Sequence, residues 1–122
     1  MVAHIVLFKA REGLPEGERR AFAATLERAA REIPSVRGVR IGQRLLHGVG
    51  YEQEAPDSAD YLAIIEFDDL AGLHGYLSHP AHEELARRFR EALTSALIFD
   101  FEVSGLEMLE TLLQNSGASR SG

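Results

Sequence analysis

A chain of 122 residues with 45% hydrophobic and 26% charged side chains has the size and profile of one globular domain with a real core, which excludes wholesale disorder. Thirteen Lys and Arg against nineteen Asp and Glu give a formal charge of −6, and every basic cluster sits among acids, so no nucleic-acid partner is expected. Cysteine is absent, which removes disulfides, thiolate nucleophiles and thiolate metal ligands together.

The N-terminal MVAHIVLFKA enters a strand pattern directly, without a basic region or a small-residue cleavage site. No apolar run approaches the roughly 20 residues of a membrane-spanning helix. A cytoplasmic protein with no membrane association is expected. Residues 2–9 predict a strand with His4, Val6 and Phe8 on one face and Ala3, Ile5 and Leu7 on the other. Both faces are apolar, as in a central strand covered on two sides.

Over residues 15–33 the apolar period changes to that of a helix, with Phe22, Leu26, Ala29 and Ile33 on one side, Pro15 in the first turn and Pro34 as the stop. Residues 36–46 alternate as a second strand, in which Gly42 suggests a bulge. The Gly-, Pro- and Asp-containing stretch 48–60 has no period and predicts a long loop, able to shape the mouth of a cavity. A third strand follows at 61–67 and a short helical piece at 69–77.

The strongest helical pattern runs from His79 towards Leu97, with Ala81, Leu85, Phe89, Ala92, Leu93 and Ala96 on one face. Residues 97–103 predict a fourth strand, with Leu97, Phe99, Phe101 and Val103 opposite Asp100 and Glu102. The domain is therefore 2–103. Residues 104–122 form a C-terminal extension, with a short helix packed through Leu106, Leu109 and Leu113 and a disordered tail from 116.

The order β-α-β-β-α-β predicts an α+β, ferredoxin-like sandwich with helices on one face of an antiparallel sheet. The other sheet face would leave a large apolar patch in water. A homodimer whose two sheets close around a shared apolar core or cavity resolves this.

Histidine supplies the side chains able to exchange protons near neutrality. His47 and His74 read as turn and surface residues. In SHPAHEEL, Ser78 or His79 is a plausible N-cap, Pro80 suits the first helical position, and His82 falls in the first turn. There the helix dipole disfavours the imidazolium, which suits a general base. His4 and Asp100 sit mid-strand on neighbouring strands, so they can pair, either as a satisfied buried couple or as part of a polar cluster in which Asp100 orients a histidine. Tyr76 adds a phenol able to polarise a carbonyl. A metal reading, with His79 and His82 at i, i+3 and His4 or Asp100 completing the set, ranks last, and neither metal nor cofactor is expected.

The strand HIVLFK, the segment GYLSHPAHEEL and the closing LIFDF resemble the stress-responsive A/B barrel (Dabb) family over residues 2–103, with HPAH after a Tyr-containing short helix as the most distinctive part. The resemblance implies a dimeric α+β barrel. By similarity to a polyketide cyclase of that family, His82 would be the catalytic base and Tyr76 would bind or polarise the substrate carbonyl. His4 and Asp100 match further pocket positions, and His79 joins them as a candidate ligand contact. Two functions stay open. One is a cofactor-free cyclase or isomerase acting on a small apolar, aromatic or polyketide-like ligand. The other is a non-catalytic stress-responsive or ligand-binding module whose histidines are structural.

Overall fold

In the computed structural model, which describes residues 1–55, 57 and 59–114, four strands form one antiparallel sheet in the order β2-β3-β1-β4. They are β1 (Val2–Ala10), β2 (Gly38–Gln43), β3 (Tyr61–Phe67) and β4 (Leu93–Glu102). β1 lies between β3 and β4, which is why its sequence is apolar on both faces. Helices α1 (Glu16–Glu32), α3 (Leu70–Ser78) and α4 (Pro80–Ala92) complete the β-α-β-β-α-β order, and a single helical turn, α2 (Tyr51–Glu54), interrupts the 48–60 segment. This is the ferredoxin-like sandwich.

The core lies between the sheet and the helices. Val2, Val6, Ala63, Ile65 and Phe67 point from the sheet towards Ala29, Ile33, Leu73 and Leu85, and Phe67, Ile33, Leu73 and Leu85 are fully buried. Phe8, Phe22 and Phe89 tie β1, α1 and α4 together, with the Phe22 and Phe89 rings 4.9 Å apart and roughly perpendicular.

The opposite face, formed by Ile5, Leu7, Leu62, Ile64, Phe99 and Phe101, carries no helix. Phe99 and Phe101 are 46% and 51% exposed. Of the two isoleucines in β3, Ile64 belongs to this open face, whereas Ile65 is in the core.

Four expectations require correction. The helix after HPAH ends at Ala92, not near Leu97, and passes directly into β4, where Leu93 is already extended (ψ 146). Leu93, Ser95, Ala96 and Leu97 pair with Ala10, Lys9, Phe8 and Leu7. A nine-residue β1 needs hydrogen-bond partners to its end, and that ladder outweighs local helix propensity.

Gly42 pairs with Leu62 in unbroken register, so it is not a bulge. The irregularity falls instead between Lys9 and Ala10 of β1, opposite Thr94.

The 48–60 segment is not all loop, since it contains α2, and its Ala55 and Ala59 border the open face beside Leu7, Leu62, Leu97 and Phe99. Asp57 pairs there with Lys9 at 3.0 Å, and the Glu52 carboxylate accepts hydrogen bonds from the backbone N–H groups of His47 and Gly48.

The C-terminal extension does form a helix, a 3₁₀ turn at Leu106–Met108 followed by α5 (Leu109–Gln114). It does not pack as expected, since Leu106, Leu109 and Leu113 are 83%, 49% and 64% exposed. The expected disorder from residue 116 lies outside the described residues.

Candidate functional site

Beneath α3 and α4, on the helix-covered side of the sheet, lies a cavity of about 510 Å³. It is the size of a small-molecule site. Within the single chain it lies between the sheet and the helices, and neither the 48–60 segment nor the C-terminal extension contributes to its lining among the described residues. Its walls are apolar, with Val6, Ile65, Leu77, Phe89 and Ile98 among them. His4, Tyr76, His82 and Asp100 gather at one end.

Each polar group is placed by a separate local device. Asp69 caps α3, its side chain accepting from the Gly72 N–H at 2.9 Å, and the helix turns Tyr76 inwards to 3% exposure. His79 ends α3 and caps α4, its Nδ1 accepting from the Ala81 N–H at 3.0 Å, with Pro80 at the first helical position. That joint sets the start of α4 so that the His82 ring meets Tyr76 edge to face at 4.7 Å. His4 reaches the same point from β1, its ring 5.7 Å from that of Tyr76.

The antiparallel register of β1 and β4 sets His4 directly opposite Asp100, and the His4 Nδ1–H donates to Asp100 Oδ1 at 2.6 Å. The histidine is 5% exposed and could not stay so without a partner. Asp100 therefore orients His4, not His82.

The cavity acts on the two groups beside it in opposite senses. Burial pushes the Tyr76 phenol up to about 12, so it is a neutral donor at every physiological pH. Among the described residues no hydrogen-bond partner occupies its hydroxyl. Burial, reinforced by the nearby His4, holds His82 below the ordinary histidine value, against the opposing pull of the Leu77 backbone and Glu83. The direction is the one expected from the sequence, and burial is its largest cause.

Four of the five candidate residues thus converge: His4, Tyr76, His82 and Asp100 line one cavity. His79 does not, because its ring is the cap. With its Nδ1 committed to Ala81, it is not brought together with His82, His4 and Asp100 as a metal set, and among the described residues no group of three or more ligating side chains forms. His74 is exposed, and His47 lies beside Tyr51 on the far loop. The sequence reading missed Ala86 and Arg90 as lining residues, although their spacing of four and eight from His82 on one helix was a usable signal.

A ferredoxin-like domain with a ligand-sized cavity and a histidine–tyrosine end defines the class. The particular family follows from comparison: the chain belongs to the stress responsive A/B barrel domain (Dabb) family, whose profile matches residues 2–103. Olivetolic acid cyclase of Cannabis sativa is 21% identical over 100 residues, covering 82% of this chain and 94% of the cyclase. Among solved structures, hydroxynitrile lyase of Passiflora edulis superposes with a TM-score of 0.70 at 16% identity, covering 84% of this chain and 93% of the lyase. A dimeric ferredoxin-like protein of unknown function from Thermobifida fusca superposes with a TM-score of 0.64 at 19% identity, covering 84% and 90%. These structural likenesses establish the fold.

Proposed function

We propose that the cavity binds a small apolar, aromatic or polyketide-like ligand bearing a carbonyl, and that His82 removes a proton from the carbon beside that carbonyl without a cofactor. The observation that carries this reading is the hydroxyl of the buried Tyr76, free of a partner among the described residues and set beside a histidine held towards its neutral form. In the proposed step His82 takes the proton, the C–H electron pair moves into the enolate, and the Tyr76 O–H donates to the enolate oxygen. In an isomerisation the proton returns at another carbon. In an aldol cyclisation the enolate carbon bonds to a second carbonyl carbon, whose oxygen receives the proton from His82. His4, held by Asp100, keeps the polar end in place. That the chain resembles both a cyclase and a lyase supports carbonyl chemistry at this cavity.

The protein would act as a cytoplasmic homodimer, the partner covering the apolar open face of the sheet. The dimeric relative and the exposure of Phe99 and Phe101 support this. Burying that face against a second copy forms the barrel and leaves the cavity beneath the helices accessible.

A second reading is favoured by a specific observation. The His79 cap accounts structurally for part of the HPAH motif, and the His4–Asp100 pair is satisfied without any reaction. On that reading the cavity only binds. Native mass spectrometry of the purified protein with a panel of alkyl aryl ketones tests the shared premise. One ketone per chain is expected, and failure of every ketone to bind removes both readings.

A further inference from the structure

The cavity has a second polar end. His82, Ala86 and Arg90 stand four residues apart on one face of α4, and all three line it. At a helical rise of 1.5 Å per residue, Arg90 lies about 12 Å beyond His82. The strand on the opposite wall spans a matching length, because Asp100 to Ala96 on β4 is four residues, about 13 Å. Thr94, opposite the break in the β1–β4 register, lies at the Arg90 end. Between the ends run Val6, Phe89 and Ile98.

Arg90 differs from its neighbours in having no acidic partner. Arg87 and Arg88 on the same helix both reach Glu91. Asp100, the other formally charged side chain lining the cavity, is engaged by His4. Among the described residues Arg90 takes part in no ion pair, although the chain carries six more acids than bases. A guanidinium is a planar fork of donors suited to a carboxylate, and Arg90, exposed in the last turn of α4, stands at the open end of the apolar wall.

We infer that the ligand of this cavity is an amphipathic carboxylate, with its anionic end at Arg90, an apolar body along Phe89 and Ile98, and its reacting carbonyl about 12 Å away at Tyr76 and His82. A single cation matches a singly charged carboxylate better than a phosphate, which asks for more donors. The inference rests on the proposed ligand-binding role of the cavity and adds the class of molecule: a keto acid or a similar acid with a carbonyl far from its carboxylate.

Titration calorimetry of the full chain with decanoate and with decanamide, which share the same tail, tests it. The acid should bind about threefold to tenfold more tightly than the amide at low salt, with the preference shrinking as salt is added. Arg90→Gln should bring decanoate down to the affinity of the amide and leave the amide unchanged, whereas Arg90→Lys should keep part of the preference. Ala86→Phe, which fills the middle of the cavity, should remove binding of both. Equal affinity for acid and amide, or a preference that survives Arg90→Gln, overturns the anionic-end inference and leaves the cavity reading standing. Failure of both probes to bind, or binding untouched by Ala86→Phe, overturns the cavity reading and this inference with it.

Discussion

The rings of Tyr76 and His82 meet edge to face with centroids 4.7 Å apart, although they belong to two different helices. The joint between those helices is the single residue His79, which closes α3 with its backbone N–H on the Tyr76 carbonyl and opens α4 with its ring on the Ala81 N–H. The motif thus presents a phenol and an imidazole to one cavity, its first histidine capping α4 and its second lining the cavity.

Burial of Tyr76 makes a prediction at alkaline pH. Its phenol ionises near 10 in the unfolded chain and near 12 in the folded one, so the unfolded state gives up the proton first. The stability that the neutral phenol contributes is present below pH 10 and is lost as the pH rises towards 12, by roughly 3 kcal/mol at the upper end. Denaturant melts between pH 9 and 11.5 should show Tyr76→Phe losing less stability than the wild-type protein. Parallel losses would mean that the phenol is open to water.

The His4–Asp100 pair predicts a stability effect in the neutral range. Asp100→Ala leaves a buried imidazole N–H without its acceptor, and because Asp100 is itself 44% exposed at its side chain, water can partly replace it. A loss of about 1 kcal/mol is expected in urea unfolding, with Asp100→Asn losing less. A loss beyond about 3 kcal/mol would show that the carboxylate does more than satisfy His4.

The open sheet face predicts the assembly. Light scattering at micromolar concentration should give twice the chain mass. Phe99→Asp should give the single-chain mass with the same helical content, since Phe99 is 46% exposed in the isolated subunit and its loss empties no core. A wild-type monomer at that concentration would remove the barrel dimer.

How far the sequence led depended on the range of the interactions involved. The strands, α1 and the cap at His79 follow from periodicity and from Pro80, all local signals. The His4–Asp100 contact followed from topology, because in this fold the first and last strands are neighbours. What stayed hidden was decided by distant partners. Leu93 to Ala96 continue a helical pattern, yet their backbone completes the ladder of β1. The 48–60 segment has no pattern at all, and its Asp57 finds its partners, Lys9 and Arg44, outside the segment. That the cavity lies under the helices was hidden as well, since an alternating strand does not say which of its two apolar faces the helices will cover.

The C-terminal extension carries a prediction in two parts. Removal of residues 116–122 should leave the melting temperature unchanged. Removal from residue 105 should lower the tendency to associate, because the exposed Leu106, Leu109 and Leu113 are apolar surface that the single chain leaves open. Analytical ultracentrifugation and a thermal melt of both truncations check this, and a large drop in melting temperature for the shorter deletion would contradict the first part.

The central claim is that His82, neutral in its cavity, abstracts a proton from a carbonyl compound polarised by Tyr76. The direct measurement is the rate at which a bound alkyl aryl ketone exchanges its α-protons for deuterium, followed by NMR against pH. Exchange above the uncatalysed rate should persist to lower pH than an ordinary histidine would allow, because the lowered pKa favours unprotonated His82. His82→Ala should abolish it with the assembly intact, and Tyr76→Phe should slow it about tenfold to a thousandfold with binding retained. Exchange that is no faster than in buffer while the ketone is bound, or that is unchanged in His82→Ala, would contradict it.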